Sequence, residues 1–143
     1  MKAINACKFV AVTPPAAIVD NAAFTTAAID TKGFAQLSFL VFFGALDIAI
    51  ASMSVRHSDA SDMSSPATLS TGGTDFTLPI ATVDNGFALF NVDLRGRKRY
   101  VDIEITGGDG AAGTFLAVTA ILSRAGEYPK DITTRGLFLE VKV

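Results

Sequence analysis

One stretch decides the fold of this chain: Arg97-Lys98-Arg99-Tyr100-Val101-Asp102-Ile103-Glu104-Ile105-Thr106-Gly107-Gly108-Asp109-Gly110. Its aliphatic side chains, Val101, Ile103 and Ile105, alternate strictly with polar ones. Such alternation is typical of a strand with one buried face and one solvated face. A basic cluster precedes the strand and a glycine-rich turn ends it. The stretch therefore predicts a β-sandwich or barrel in which each sheet has one covered face.

Along the whole chain, this strand included, the same patterns predict about eight short strands separated by turns. The predicted strands are Cys7–Val12, Ala23–Ile29, Phe34–Phe43, Ile48–His57, Phe76–Ile80, Phe87–Leu94, Tyr100–Thr106 and Thr114–Arg124, with a ninth at Leu137–Val143. Many short strands separated by Gly, Pro and Asp turns are typical of an antiparallel sandwich or barrel. The length of 143 residues suits one domain, 1–143.

In two of these strands, Phe34–Phe43 and Thr114–Arg124, the stretch Leu37–Phe43 and, apart from Thr119, the stretch Phe115–Leu122 are apolar on both faces. Strands of this kind lie centrally in a sheet and have both faces covered. The second cover is either a long loop or another subunit, and we expect these strands to supply part of a subunit interface. The polar segment Ser58–Thr74 is predicted to be a surface excursion.

The two ends of the chain leave alternatives open. Pro14-Pro15 favours an extended arm over Met1–Pro15, which either reaches a neighbour or precedes the first strand. The strand Leu137–Val143 either pairs within the sandwich, the interpretation we favour, or adds to a neighbouring subunit.

The composition limits the classes of function. Hydrophobic residues make up 50% of the chain and charged residues 18%, below the average of about 25%. The chain therefore has a large core or uses apolar surface to bind partners. A net charge of −2 gives no reason to expect nucleic acid. The longest apolar run, Leu37–Leu46, is shorter than the roughly 20 residues of a membrane span, so we expect a core strand and no membrane.

Catalytic and metal-binding residue types are scarce. His57 is the only histidine and Cys7 the only cysteine, so neither a usual zinc site nor an intrachain disulfide is expected, and Cys7 is predicted to be a small buried hydrophobe. We interpret His57 as a surface residue at a strand end. Asp102 and Glu104 have a spacing that suits a glycosidase pair, but the chain has no tryptophan, which favours two carboxylates on a solvated strand face.

An oxygen-ligand loop for calcium is the other candidate metal site. Asp59 and Asp62 lie together in a Ser-rich segment, and Asp109 lies among glycines. None matches a known calcium-loop pattern, and Asx turns explain them better. We therefore predict no enzyme activity, no cofactor and no metal.

The only concentrated charge is Arg95, Arg97, Lys98 and Arg99, which we call the basic turn. One interpretation is a solvated hairpin whose charges are balanced by nearby Asp93 and Asp102. A second is a docking patch for an acidic protein surface, and we carry these four residues forward as the candidate protein-docking patch. Direct binding of nucleic acid is a weaker third, because aromatic residues are not interleaved with the basic ones.

Several segments together resemble a known family. They are Ile29–Phe34 with the apolar strand that follows, Val55–Asp62, Lys98–Thr106, and Ala117–Leu122 with the chain up to Pro129. These segments resemble small structural proteins of tailed-phage head modules, the capsid decoration (or cement) proteins. The sequence departs from that group at Asp102, where a basic residue is usual, and in the loop Ser64–Gly73.

The resemblance implies a jelly-roll β-sandwich that forms homo-oligomers, commonly trimers. It implies a virion location on the outside of an icosahedral head, after synthesis in the host cytoplasm. The partner is then the major capsid protein, whose subunits the chain bridges. No catalytic residue comes with the resemblance. The alternative is a tail- or fibre-associated β-sandwich that binds a host glycan, and a small glycosidase or cupin-like isomerase ranks last.

Overall fold

The computed structural model describes residues 6–19, 23–80, 85–111, 113–126, 131 and 133–138, with the backbone alone over 13–19. Within them, regular secondary structure consists of nine β-strands without a helix. The strands are β1 Lys8–Val19, β2 Ala23–Thr25, β3 Ile29–Asp30, β4 Phe34–Leu46, β5 Ser52–Ser58, β6 Ala67–Thr71, β7 Phe87–Asp93, β8 Tyr100–Thr106 and β9 Thr114–Ala125. The predicted all-β class is confirmed.

The strands form two antiparallel sheets. Sheet A has the order β1-β9-β4-β7, and sheet B has the order β2-β8-β5-β6 with β3 also paired to β8. Thr26 joins β2 to β3 along β8: its N–H donates to the carbonyl of Ile103 at 3.1 Å, and its Oγ1 accepts from the N–H of Ile103 at 3.1 Å. The predicted strand Ala23–Ile29 is therefore one strand with an interruption.

The chain changes sheets at almost every connection. When β2 and β3 are counted as one strand, consecutive strands lie in different sheets except for the β5–β6 hairpin. Eight strands wound between two sheets in this order are the arrangement of a jelly roll. The predicted jelly-roll sandwich is confirmed.

The core lies between the sheets and comes from alternate residues of each strand. The largest fully buried side chains are Leu37, Phe39, Val41, Phe43, Met53, Val55, Val101, Ile103, Ile105, Leu116, Val118 and Leu122. Burying each of them stabilises the fold by roughly 1.5–3 kcal/mol relative to exposure. The aliphatic residues of β8 are all among them, as the alternation predicts, and Cys7 is buried as expected.

Two predictions about the region between β5 and β7 are wrong. The segment Ser58–Thr74 contains the edge strand β6, in which Leu69 alone packs against the core, so the apolar alternation that marks a strand is missing. Phe76–Ile80 is not a strand. Its residues Phe76 and Leu78 pack against the core, but Pro79 has no N–H to add to a ladder.

At the edge of sheet A, strand β1 lies beside a later segment of the chain. Strand β1 includes the predicted arm from Lys8 onward and pairs with β9, while residues 1–5 lie outside the described residues. The N–H of Phe9 donates to the carbonyl of Arg135 at 2.7 Å, so the later segment runs beside β1. Of the predicted ninth strand, Leu137 and Phe138 are not in a strand, and residues 139–143 lie outside the described residues.

Candidate docking surface

The outward side of sheet A carries a continuous set of apolar side chains, which we call the apolar face. It arises because β4, β7 and β9 are apolar at every position along much of their length, whereas the core takes only alternate residues. The most exposed large residues of this face are Phe87 at 66%, Leu89 at 58% and Phe115 at 41%. Its apolar members are Phe9, Ala11, Leu40, Phe42, Phe87, Leu89, Phe115, Ala117 and Ile121, and the polar Thr119 lies among them beside Leu40.

The register of the strands makes these side chains neighbours. Phe42 on β4 lies between Phe87 on β7 and Ala117 on β9. The rings of Phe42 and Phe87 are 4.8 Å apart between centroids, a distance at which tilted aromatic pairs attract. One step along the sheet, Leu40 lies beside Leu89. The face is therefore a contiguous patch of a kind that often marks an interaction site.

The central positions of β4 and β9 confirm the prediction made from their apolar sequences. The same prediction held that a loop or another subunit covers the outward face of β4 and β9. In the described structure, Leu40 and Phe42 at the centre of this face are half-buried, whereas Phe87, Leu89 and Phe115 are exposed.

Polar side chains border the apolar face at its β7–β8 end. Ser38 Oγ donates a hydrogen bond to Asn91 Oδ1 at 2.7 Å. A hollow of about 250 Å³ lies beside this pair, and its lining consists of Ala35, Gln36, Asn91, Asp93, Arg95 and Arg124. An apolar centre with a polar border is the usual construction of a protein interface.

The basic turn lies between β7 and β8, and carboxylates hold two of its arginines. Arg95 pairs with Asp93 at 2.5 Å, and Arg99 forms two hydrogen bonds with Asp30, at 2.6 and 2.8 Å. These guanidinium hydrogen bonds hold the pKa of Asp93 and of Asp30 at about 2. Both pairs are largely exposed, so they add little to stability.

The remaining members of the basic turn differ in their partners. Lys98 Nζ lies 3.6 Å from a carboxylate oxygen of Asp59. Within the described part of the chain, Arg97 forms no ion pair. Asp93 balances the turn as predicted, but the prediction that Asp102 does so is wrong. Because much of its charge is internally paired, the docking patch of Arg95, Arg97, Lys98 and Arg99 stays a prediction that centres on Arg97.

The outward side of sheet B is polar and centres on Arg56. Its guanidinium forms hydrogen bonds of 3.0 and 2.7 Å to Asp102 and of 2.6 Å to Glu104. The prediction that both carboxylates are solvated is wrong for Asp102, whose side chain is 0% exposed, whereas that of Glu104 is 34% exposed. The cause is register, because Arg56 on β5 lies directly opposite Asp102 on β8. The hydrogen bond to Asp102 raises the pKa of Arg56.

His57 lies near the end of β5 and is half-buried. Its Nδ1 accepts a hydrogen bond from the N–H of Lys98 at 3.1 Å. Burial lowers the pKa of His57, and the nearby charges of Lys98 and Arg97 lower it further. Through the hydrogen bond from Lys98, His57 supports the basic turn. The next residue, Ser58, donates its hydroxyl hydrogen bond to the carbonyl of Ser64.

Of the calcium-loop candidates, Asp62 forms a turn and Asp59 lies 3.6 Å from Lys98 Nζ. Asp62 Oδ1 accepts the N–H of Ser64 at 2.9 Å, which is the predicted Asx turn. Across the described ranges, no three His, Cys, Asp or Glu side chains lie close enough together to hold a metal ion. Nor does any helix there have the length and apolarity needed to cross a membrane.

Exposure of Phe87 and Leu89 was not predicted from the sequence, although the pattern that signals it is present. The run Phe87-Ala88-Leu89-Phe90 is apolar at successive positions, which is the same pattern that identified β4 and β9 as covered on both sides. Strand β7 instead lies at the edge of sheet A, so its outward side chains have neighbours on one side only.

Comparison with known proteins gives structural similarity but no match in sequence. No family model matches the chain, and no curated protein matches its sequence. The crystal structure of SPBc2 prophage-derived protein YomS is similar in part, with a TM-score of 0.46 and 15% identity. The similarity covers 81% of this chain and 93% of that one.

Proposed function

We propose that this chain is a structural virion protein that binds the outside of an icosahedral phage capsid and bridges capsid subunits. The observation that carries the proposal is the apolar face, with Phe87, Leu89 and Phe115 exposed on one rigid sheet. The sequence resemblance to decoration proteins supplies the setting. The partners are the major capsid protein and further copies of the chain, for which the resemblance implies a trimer.

The two outward faces suit such a role because they differ in chemistry. The face of sheet A offers apolar area to a partner, whereas the face of sheet B carries the network of Arg56, Asp102 and Glu104 and is suited to water. A stable interface of standard size buries about 1,600 Å² in total. Repetition over a symmetric shell multiplies contacts that are individually modest, so a flat apolar sheet is sufficient without a deep pocket.

The proposal is tested by placing a charge in the apolar face. Phe115 is 41% exposed on β9, so Phe115→Asp leaves the core intact while it puts a carboxylate where a partner would desolvate it. We expect at least a tenfold weaker binding to purified phage heads that lack the chain, measured by co-sedimentation. The matched control is Ser52→Asp, an equal charge on exposed Ser52 of sheet B, which should bind normally. Equal binding by the two variants would contradict the proposal.

The alternative, a tail or fibre module that binds a host glycan, is supported by one feature. The hollow beside Asn91 offers amide, carboxylate and guanidinium groups of the kind that bind sugar hydroxyls. No aromatic side chain lines this hollow to stack on a sugar ring. A glycan array that gives binding by the wild-type chain, lost in Asn91→Ala, would favour this alternative over capsid binding.

A further inference from the structure

Half of the backbone groups of β7 point away from sheet A. The N–H of Phe43 donates to Gly86 at 2.9 Å, and the N–H of Leu94 donates to Ala35 at 3.1 Å. In an antiparallel pair, every second residue of a strand forms its backbone hydrogen bonds with the neighbouring strand. Counting in steps of two from Gly86 to Leu94, the residues that direct their N–H and C=O groups towards β4 are Ala88, Phe90 and Val92. The backbone groups of Phe87, Leu89 and Asn91 therefore point to the open side of the edge.

This edge lacks most of the features that usually prevent strand pairing. Strand β7 has no proline, its single charged residue is the last one, Asp93, and the register between β7 and β4 is continuous, without a bulge. Such features normally protect an exposed edge. In the part of the chain that the structure describes, no strand pairs with this side of β7. The residues with free backbone groups also include Phe87 and Leu89, the two most exposed side chains of the apolar face.

We infer that β7 pairs antiparallel with β7 of a second copy, so that two chains form a two-fold dimer with one continuous sheet. A two-fold axis makes two identical strands antiparallel without any further condition. In the register where Phe90 lies opposite Phe90 of the second copy, Asp93 lies opposite Phe87 of that copy. No like charges then face each other along the seven-residue strand. The pairing joins the two apolar faces into one.

The inference deepens the proposed function and rests on it for its setting, because the joined face would be the surface that binds the shell. It differs from the trimer that the family resemblance implies. A trimer needs two different surfaces in head-to-tail contact, whereas the edge of β7 offers one surface that complements itself. The mass of the assembly in solution therefore distinguishes the two-fold dimer from the trimer.

The test is sedimentation equilibrium of the purified full chain without capsids. We expect a mass twice that of the 14.9-kDa chain. Leu89→Pro should give a monomer, because it removes an N–H on the open side and leaves the hydrogen bonds to β4 intact. Leu89→Lys should also give a monomer, since a lysine on an edge strand opposes pairing. If the proline variant loses its strand signal in circular dichroism, the lysine variant serves as the test in its place. Phe115→Asp, on the same face but away from the edge, should stay dimeric.

Three results would overturn the inference: a monomeric wild-type chain, a trimer, or a dimer that persists in a folded Leu89 variant. A dimer lost in Phe115→Asp but kept in Leu89→Lys would mean that the faces stack and the edges do not pair. The outcome is independent of the capsid experiment. If Phe115→Asp binds heads normally while Leu89→Lys is a monomer, the proposed function fails and the edge pairing stands.

Discussion

At the scale of single residues, Arg56 has the largest structural consequence. Its guanidinium is the counter-ion of Asp102, whose side chain is completely buried, and it also reaches the partly exposed Glu104. Desolvating charges is expensive, and the cost is offset only when the geometry is good and the hydrogen bonds are complete. Arg56 satisfies this condition with a two-point contact to Asp102.

Arg56→Met is expected to lower the free energy of unfolding by about 3–5 kcal/mol, because it leaves a buried carboxylate without a counter-ion. Denaturant unfolding measures the loss. The control is Arg95→Met, which removes the exposed arginine that pairs with Asp93 and should leave the midpoint unchanged. The double variant Arg56→Met, Asp102→Leu should recover most of the stability, since neither charge then remains buried. A double variant as unstable as the single one would refute this explanation.

The ion pair of Asp30 and Arg99 makes stability depend on acid pH. The pKa of Asp30 is about 2 in the folded chain against an ordinary value of 3.8. A carboxyl whose pKa is lower in the folded chain than in the unfolded chain stabilises the fold at every pH above its unfolded pKa. This stabilisation is lost as the pH falls from the unfolded pKa through the folded pKa. We therefore expect the wild-type chain to lose stability between about pH 4 and pH 2, and Asp30→Asn to lose less over that window.

Thermal unfolding at pH 5, 3 and 2 measures this difference. Arg99→Gln should flatten the pH dependence in the same way, because it removes the donor that lowers the pKa of Asp30. Some dependence should remain in both variants, since Asp93 keeps its own partner, Arg95, and a pKa of about 2. Identical pH profiles for wild type and Asp30→Asn would rule out the pair as a source. The pair is half-exposed, so we expect a small effect.

At the scale of elements, the glycine-rich loop between β8 and β9 packs against the loop between β4 and β5. A Cβ on Gly108 would overlap the carbonyl oxygen of Ala49, and one on Gly110 would overlap the carboxylate of Asp47. The glycines that end the predicted strand thus serve close approach between two loops. This packing fixes the end of β4 relative to the start of β9, next to Phe115 of the apolar face.

Gly108→Ala is expected to destabilise the chain by roughly 1–3 kcal/mol, because the atom that it meets first belongs to the backbone and cannot rotate away. The control is Gly126→Ala, where no described atom lies within 4 Å of the added Cβ, and the change should be within about 0.5 kcal/mol. Urea unfolding of the two variants compares them. Equal stabilities would show that the two loops separate without cost.

At the scale of the whole molecule, the jelly roll produces two unlike outward faces. Sheet A takes the strands that are apolar at successive positions over much of their length, and sheet B takes the strand in which aliphatic and polar residues alternate. The interior is filled from both sheets, and Phe87, Leu89 and Phe115 of the surplus apolar residues lie on the outside of sheet A. The high hydrophobic fraction of the sequence, 50%, is thereby divided between a core and the apolar face.

The sequence by itself determined the all-β class, the central strands β4 and β9, the buried face of β8 and the Asx turn at Asp62. Each of these follows from alternation or turn chemistry within a few residues. The tertiary structure alone decided that Asp102 is buried, that β6 is a strand while Phe76–Ile80 is not, and that β7 lies at an open edge. These features depend on which strands become neighbours and in what register, and residues far apart in the chain set both.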